Sequence, residues 1–224
     1  MRFGVPARVS WSFAGWLALL PLPIAAAQSH KISGELAQLP ASLGGDVREV
    51  CFSADGSWLV YLADQDQVGA VDLYSAPADA SAPAVRLSEA VGDAYSSVWN
   101  FQLTADRAVF QGPSARLSSA PLDGGAPALI LSQECFLFRV HPDGARVLWT
   151  EELELPPSTR VWIAPLDGSA PPTLLPSPGL GFVEYLALSP DGAWVVLASG
   201  SELYALDLAG GLGLIPLASG GTLV

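Results

Sequence analysis

The feature that most constrains this 224-residue sequence is an internal repeat of about 44 residues. In each repeat an apolar run leads into a polar turn, and a second apolar run follows at once. The turns read Ser53-Ala54-Asp55-Gly56, Thr104-Ala105-Asp106-Arg107, His141-Pro142-Asp143-Gly144 and Ser189-Pro190-Asp191-Gly192. Asp-Gly between short apolar runs indicates a tight β-hairpin, because Gly accepts a positive φ and Asp hydrogen-bonds its own backbone. Each repeat therefore begins with two antiparallel strands.

Two further strands are predicted in each repeat, separated by a second polar turn. The aspartates of these turns, Asp79, Asp123, Asp167 and Asp207, are 44, 44 and 40 residues apart. The apolar runs are too short and too often interrupted by Gly and Pro to be helices. Four antiparallel strands per repeat predict an all-β fold, a β-propeller of about four four-stranded blades. The blades are placed at about 46–88, 94–132, 135–176 and 182–218.

Two of the repeats resemble a known family. Residues 52–61 (FSADGSWLVY) and 188–196 (LSPDGAWVV), each followed by a Leu-Tyr strand, are similar to the PD40, or WD40-like, repeat of TolB-like propellers. This resemblance implies a propeller that serves as a binding scaffold. The resemblance gives little information about activity, because the same repeat also builds the non-catalytic propellers of prolyl-oligopeptidase-like enzymes. Arg107 in place of the turn Gly departs from the family pattern, as does the missing α/β domain of the TolB-like family.

The number of repeats raises a question of ring closure, because propellers of this family usually have more than four blades. Residues 35–40 align with the outermost strand of a blade, and residues 219–224 align with the connection that opens the next one. Three interpretations stay open: residues 35–40 close a small ring with the fourth blade, two chains join into one ring, or the sequence is a truncated propeller. An incomplete or open ring is favoured, and its unpaired strand edges favour a homodimer.

The N-terminal residues have the composition of a targeting segment. Arg2 and Arg8 precede a short apolar run, and the small residues 25–27 form a cleavage site, so residues 1–27 are predicted to be a secretory signal peptide. The run is short and interrupted by prolines, so we expect no stable membrane span after cleavage. Residues 28–34 are assigned to a tail and residues 35–224 to the repeats. A periplasmic or extracellular location follows.

Composition narrows the classes of function. With 22 acidic and 10 basic side chains, the net charge is −12, which repels nucleic-acid phosphates. Only two histidines are present, His30 and His141, and His141 occupies a turn position that is polar in the other repeats. No G-x-S-x-G motif and no zinc-ligand spacing occurs, so neither catalysis nor a metal cofactor is expected.

Acidic side chains at repeated positions give the clearest functional signal. In repeats one and three they lie nine and eleven residues after the aspartate of the first turn: Asp64, Asp66, Glu152 and Glu154. In repeat four, Glu202 lies eleven residues after the aspartate of the first turn. All follow the second strand, so they are predicted to line the loops of one rim and to attract a basic segment of a protein partner. Residues 64–75 also partly resemble a calcium loop, although Val68 and Ser75 replace two of its ligands. Solvated loops that keep the chain soluble are the plainer alternative.

The predicted strands also place the cysteines and the large aromatic residues. Cys51 and Cys135 lie in apolar runs two repeats apart, where two buried free thiols are favoured and a bridge is left open. Aromatic residues recur in the second and third strands: Tyr61, Tyr74, Phe110, Trp149, Trp162 and Tyr204. We expect them to fill space between blades, and a ligand-stacking platform is the alternative.

These features predict an exported, non-enzymatic β-propeller scaffold for protein–protein interaction, TolB-like by resemblance. Two alternatives come from other classes. One is an accessory or substrate-gating propeller of a separately encoded peptidase, and the other is a truncated propeller fragment without function.

Overall fold

The computed structural model describes residues 46–66, 69–89, 97–154, 157–209 and 213–219. Within them the chain forms sixteen β-strands and one short 3-10 turn, and no α-helix. The strands make four antiparallel four-stranded sheets, each with its strands in chain order, here called sheets 1 to 4. The predicted all-β fold with four four-stranded blades is confirmed. The predicted signal peptide, the tail and the strand at 35–40 lie outside the described residues.

Each sheet is a continuous up-and-down meander. Sheet 1 contains β1 (Val47–Phe52), β2 (Trp58–Ala63), β3 (Asp72–Pro77) and β4 (Val85–Arg86). Sheet 2 contains β5 (Asn100–Leu103), β6 (Arg107–Gln111), β7 (Leu117–Pro121) and β8 (Leu129–Ser132). Sheet 3 contains β9 (Phe138–Val140), β10 (Arg146–Glu154), β11 (Pro157–Pro165) and β12 (Thr173–Leu175). Sheet 4 contains β13 (Tyr185–Leu188), β14 (Trp194–Ser199), β15 (Glu202–Asp207) and β16 (Leu214–Ser219).

The turn between the first and second strands is held by its own side chains. In sheet 1 the Ser53 hydroxyl accepts a hydrogen bond from Trp58 N–H at 3.0 Å and donates to the Asp55 carboxylate at 2.6 Å. Ser189 and Trp194 repeat the first of these bonds in sheet 4, at 2.9 Å. These bonds satisfy backbone groups that the strand ladder leaves free, which explains why the turn motif recurs.

Sheet 2 turns more tightly, and this is where the sequence departs from the repeat. Its turn closes through a hydrogen bond from Thr104 N–H to Arg107 C=O at 2.9 Å. The equivalent bond in sheet 1 runs from Ser53 N–H to Trp58 C=O, across two more residues. Arg107 is therefore the first residue of β6, and no glycine is needed there.

The turns between the third and fourth strands are also alike in all four sheets. Each turn aspartate accepts a hydrogen bond at Oδ1 from the N–H two residues later, at 2.8–2.9 Å: Asp79, Asp123, Asp167 and Asp207. Such Asx turns reverse the chain without a partner from elsewhere in the protein. The even spacing of these aspartates in the sequence thus records a repeated local structure.

The hydrophobic core is divided into layers between neighbouring sheets. One apolar cluster joins sheets 1 and 2, a second joins sheets 2 and 3, and a third joins sheets 3 and 4. The second-strand residues that face the following sheet are fully buried in the first three sheets: Val60, Val109 and Leu148. Their equivalent in sheet 4, Val196, is only half-buried. Each internal sheet is therefore covered on both faces, as expected for sheets that pack face to face.

The expectation that both cysteines are buried is wrong for Cys51. Cys135 is buried and free, whereas Cys51 is free and exposed in β1. All six side chains of β1 are exposed. The equivalent positions in sheets 2 and 3 hold the polar, half-buried residues Gln102 and Arg139, so this position does not belong to the core. The apolar neighbours of Cys51 suggested burial that the arrangement of sheets does not supply.

Candidate functional site

The four sheets are stacked in the same orientation, which places equivalent hairpins at the same end. The first turn of sheet 4 contacts the first turn of sheet 3, where His141 Nε2 lies 2.9 Å from Gly192 O. In the same way Gly144 of sheet 3 lies beside Thr104 of sheet 2. The hairpins between second and third strands consequently share the opposite end. We call that end, together with the segments that leave the fourth strands, the rim.

Asp64 lies at the rim but is not a free surface charge. The residue is 4% exposed. Its carboxylate accepts hydrogen bonds from Asp46 N–H at 2.7 Å and from Gly69 N–H at 3.4 Å. The sequence placed Asp64 in a solvated loop, whereas the structure gives it the role of closing that loop onto the start of β1.

Asp66 is exposed but already has a cationic partner. Its Oδ2 lies 3.2 Å from Arg86 Nη1. The same guanidinium nitrogen lies 3.7 Å from Asp72, which also accepts a hydrogen bond from Ser88 at 2.7 Å. Burial raises the pKa of Asp72 above its ordinary value, against the opposing effects of Ser88 and Arg86. The rim charge of sheet 1 is therefore partly neutralised.

Glu152 and Glu154 belong to a strand and not to a loop, which corrects the predicted position. The hairpin of sheet 3 continues to the pair Glu154 and Pro157, so β10 and β11 are nine residues each. Glu152 is half-buried, and its Oε1 has no hydrogen-bond partner in the described part of the chain. Burial raises the pKa of Glu152. Glu154 is exposed beside the hairpin end.

Glu202 is exposed at the start of β15, in the rim hairpin of sheet 4. It accepts a hydrogen bond from the Tyr204 hydroxyl, and this bond raises the pKa of Tyr204. The structure thus brings acidic side chains of sheets 1, 3 and 4 to one end of the stack. Asp64 also lies at this end, but it is buried.

A cleft lined by tryptophan and carboxylate residues is the rim feature that the sequence did not identify. It has a volume of about 440 Å³ and lies between the end of β8 and the face of sheet 3. Trp149 and Trp162 pair across β10 and β11, with ring centroids 6.4 Å apart and nearly parallel planes. Trp149 is buried and Trp162 is half-buried. The aromatic pair fills space between sheets, as expected, and Trp162 also reaches the cleft.

Glu151 organises the polar side of this cleft. Its Oε1 accepts hydrogen bonds from Ser132 Oγ at 2.9 Å and from Trp149 Nε1 at 3.2 Å, and its Oε2 accepts one from Trp162 Nε1 at 2.8 Å. These three donors are neutral. None of the ion pairs within the described residues involves Glu151. The carboxylate is held in one orientation by neutral donors, and Arg160, its cross-strand neighbour, is not among its ion-pair partners in the described residues.

The signal for this cleft was present but indirect. Trp149 and Trp162 belong to the recurring aromatic residues. The repeats do not point to Glu151, because no other repeat has an acidic residue at the same distance from the aspartate of its first turn. Only the cross-strand register shows that both indoles point their N–H groups at Glu151. The buried thiol of Cys135 lies near the same carboxylate: burial, and then the charge of Glu151, raise its pKa to about 12.

Within the described ranges, no group of three or more His, Cys, Asp or Glu side chains is arranged to hold a metal ion. His141 is 5% exposed and is held between Gly192 O and the Asp143 side chain, so its ring is engaged in the turn. His30 lies outside the described residues. No helix in the part of the chain that the structure describes is long and apolar enough to span a membrane.

No protein-family model matches this sequence, and no curated protein matches it. Solved structures match at low identity. A protein assigned as TolB from Agrobacterium tumefaciens is 15% identical, covers 76% of this chain and 64% of its own, and has a TM-score of 0.51. A chain of a nidogen–laminin complex is 12% identical, covers 74% of this chain and 62% of its own, and has a TM-score of 0.50.

A prolyl endopeptidase is 16% identical, with coverage of 80% of this chain and 30% of its own and a TM-score of 0.58. This chain therefore spans less than two thirds of each matched chain. Matches at such low identity show only a similar fold. They do not show that the chain belongs to the PD40 repeat family or that it has a particular activity. Together with the four stacked meanders, the matches show that the chain has a β-propeller fold.

Proposed function

We propose that this chain is an exported, non-enzymatic propeller scaffold that binds a protein partner through the rim. The observation that carries the proposal is the set of acidic side chains that three sheets place at one end: Asp66, Glu152, Glu154 and Glu202. Clustered charge of one sign raises the local concentration of an oppositely charged partner and speeds its association. The partner is therefore expected to present a basic segment.

The structural matches support a binding role. One match is assigned as TolB and another is a chain of a nidogen–laminin complex, so the same fold occurs in a protein that assembles with another. Export to the periplasm or beyond rests on residues 1–27. The absence of an enzymatic activity is part of the proposal, and it is supported by the structural engagement of His141 in its turn.

The test compares two charge-matched variants of the full chain. In the rim variant, Asp66→Asn, Glu152→Gln, Glu154→Gln and Glu202→Gln remove four charges. In the control, Asp79→Asn, Asp123→Asn, Asp167→Asn and Asp207→Asn remove four charges at the opposite end, where Asn preserves the Asx turns. The probe is a fluorescent lysine-rich 12-residue peptide at physiological salt.

The rim variant should bind the probe about tenfold more weakly, whereas the control should change by less than about twofold. Equal losses in both variants would show that only net charge matters, and the rim proposal would then be abandoned. The charge reversal Asp66→Lys with Glu154→Lys should weaken binding further.

A second candidate is an accessory propeller of a separately encoded peptidase. It is favoured by the match to a prolyl endopeptidase, of which this chain covers 30%. Peptidase activity that copurifies with the chain and falls when the chain is depleted would support this candidate. Rim-dependent peptide binding without such activity would favour the first proposal.

A further inference from the structure

Two clefts occupy equivalent places in the fold, one between sheets 1 and 2 and one between sheets 2 and 3. Each is lined by the serine at the end of a fourth strand, by the residue after it, and by a cross-strand pair of the following sheet. These residues are Ser88, Glu89, Phe110 and Ser118 in the first cleft, and Ser132, Gln133, Trp149 and Trp162 in the second. The comparison of the two clefts shows what kind of group the second one accepts.

The first cleft is nearly filled, and an arginine of the chain itself is one of its lining residues. Its volume is about 20 Å³. Arg116 lines it, and Arg116 Nη1 lies 3.1 Å from Glu89 Oε2. The arginine thus pairs with an acidic residue on the segment that leaves the fourth strand. A guanidinium paired with a carboxylate is a favourable arrangement of charge.

The second cleft is open because the backbone of sheet 3 takes a different path. In sheet 2 the chain after β6 folds into the short 3-10 turn Pro113–Ala115, and Pro113 lines the first cleft. In sheet 3 the hairpin runs straight on to Glu154. Arg160 is the equivalent of Arg116, but it is exposed and lines a separate cleft with Leu174 and Leu175. The second cleft therefore has the volume of about 440 Å³ and no cation of its own among its lining residues.

The groups that line the second cleft suit a cation on an apolar stem. Trp162 contributes a half-buried indole, and Glu151 contributes a carboxylate whose hydrogen-bond donors, Ser132 and the two indoles, are all neutral. Glu134 adds a second, exposed carboxylate at the mouth, close to the position that Glu89 has in the first cleft. An arginine side chain stacks on indole and pairs with carboxylates, which matches these groups.

We propose that this cleft between sheets 2 and 3 binds an arginine side chain of the protein partner, at the place where Arg116 pairs with Glu89 beside the cleft between sheets 1 and 2. The inference rests on the proposed function, because the arginine belongs to the basic segment that the rim attracts. The rim provides attraction at a distance, and the cleft selects one residue of the segment.

The test uses the full chain and two blocked tripeptides in isothermal titration calorimetry. The probes are acetyl-Gly-Arg-Gly-amide and its citrulline analogue, which has nearly the same shape but no charge. The arginine peptide should bind at least about fivefold more tightly than the citrulline peptide. Glu134→Gln should weaken arginine binding about threefold to tenfold, and Trp162→Leu about fivefold to thirtyfold.

Glu134→Gln is the decisive variant, because the residue is exposed and the change keeps the size of its side chain. The matched control is Asp123→Asn, which removes an equal charge from an exposed turn at the opposite end of the stack and should change binding by less than about twofold. Equal binding of the two peptides, or equal effects of the two variants, would overturn the proposal. A chain that fails this test but still binds the lysine-rich peptide through the rim would leave the proposed function standing.

Discussion

The imidazole of His141 and the carbonyl oxygen of Gly192 are joined across the boundary between sheets 3 and 4, with 2.9 Å from Nε2 to O. A carbonyl oxygen only accepts, so Nε2 carries the proton. His141 Nδ1 lies 3.0 Å from Asp143 Oδ1 and 3.2 Å from Asp143 N. This histidine therefore couples its own turn to the equivalent turn of sheet 4, through a residue 51 positions later. In the other described sheets, serine or threonine fills this turn position.

The first prediction concerns Gly192, which has φ +72° and would place a Cβ 2.4 Å from the His141 ring. Gly192→Ala should lower the free energy of unfolding by about 2–4 kcal/mol. The alanine must adopt a left-handed backbone conformation, and its Cβ displaces the His141 imidazole from its hydrogen bond. Gly56 is the matched control, since it has the same φ of +72° and open space around it. Gly56→Ala should cost only about 1–2 kcal/mol in the same urea unfolding experiment. Equal losses would show that His141 does not constrain this turn.

The second prediction concerns stability in acid. Hydrogen bonds from Ser53 and Ser57 lower the pKa of Asp55 from 3.8 to about 2. Burial opposes ionisation of Asp143, but hydrogen bonds from Ala145 N–H and the Arg146 side chain outweigh it and lower its pKa to about 2. A group whose pKa is depressed on folding stabilises the fold above its unfolded pKa and loses this effect as the pH falls. The melting temperature should therefore drop as the pH is lowered from about 4 to about 2.

The double variant Asp55→Asn, Asp143→Asn tests the cause of that drop. Asn keeps the turn geometry but does not titrate, so the melting temperature should fall less steeply over the same pH range. Asp72 and Glu152, whose pKa values are raised by burial, act in the opposite direction and limit the total change. An unchanged slope in the double variant would exclude Asp55 and Asp143 as its source.

The third prediction concerns the two thiols. Cys51 is exposed, whereas Cys135 is buried and its pKa is raised to about 12 by burial and by Glu151. Because the thiolate is the reactive form, one thiol per chain should react with iodoacetamide under native conditions and two in denaturant. Mass spectrometry with peptide mapping should locate the native adduct on Cys51. A native adduct on Cys135, or no free thiol in denaturant, would contradict the structure.

The fourth prediction concerns self-association through the end sheets. The residues equivalent to Val50 in the other sheets are Phe101, Phe138 and Leu186, which are at most 7% exposed because the preceding sheet covers them. Val50 is 54% exposed, and Val196 of sheet 4 is less buried than its equivalents. Unpaired faces of this kind favour association, so light scattering should show a concentration-dependent dimer.

Val50→Glu should shift this equilibrium to the monomer. Leu174→Glu is the control, because Leu174 is also exposed, at 49%, but lies on the outer strand β12. A monomer at all concentrations would remove the homodimer from the expected partners, and equal effects of both variants would mean that association does not use the end face.

Several features of the fold could be predicted from the sequence because their causes are local. Asp-Gly turns, Asx turns and short apolar runs each act within about six residues. Their repetition is therefore visible along the chain, and the four sheets follow from it. The end of the stack at which the hairpins between second and third strands lie also follows from the order of the turns along the chain.

The details of the site depend on residues that are distant in the sequence. Asp64 is buried through its bond to Asp46 N–H, 18 residues earlier, and nothing in its own loop indicates this. The cleft needs Ser132, Glu151 and Trp162, which come together only after β10 has paired with β11 and sheet 3 has packed on sheet 2. The repeat, the turns and the strand order follow from short stretches of sequence. Which carboxylates stay exposed, and where a cleft opens, depends on packing between sheets, because burial is not a property of the local pattern.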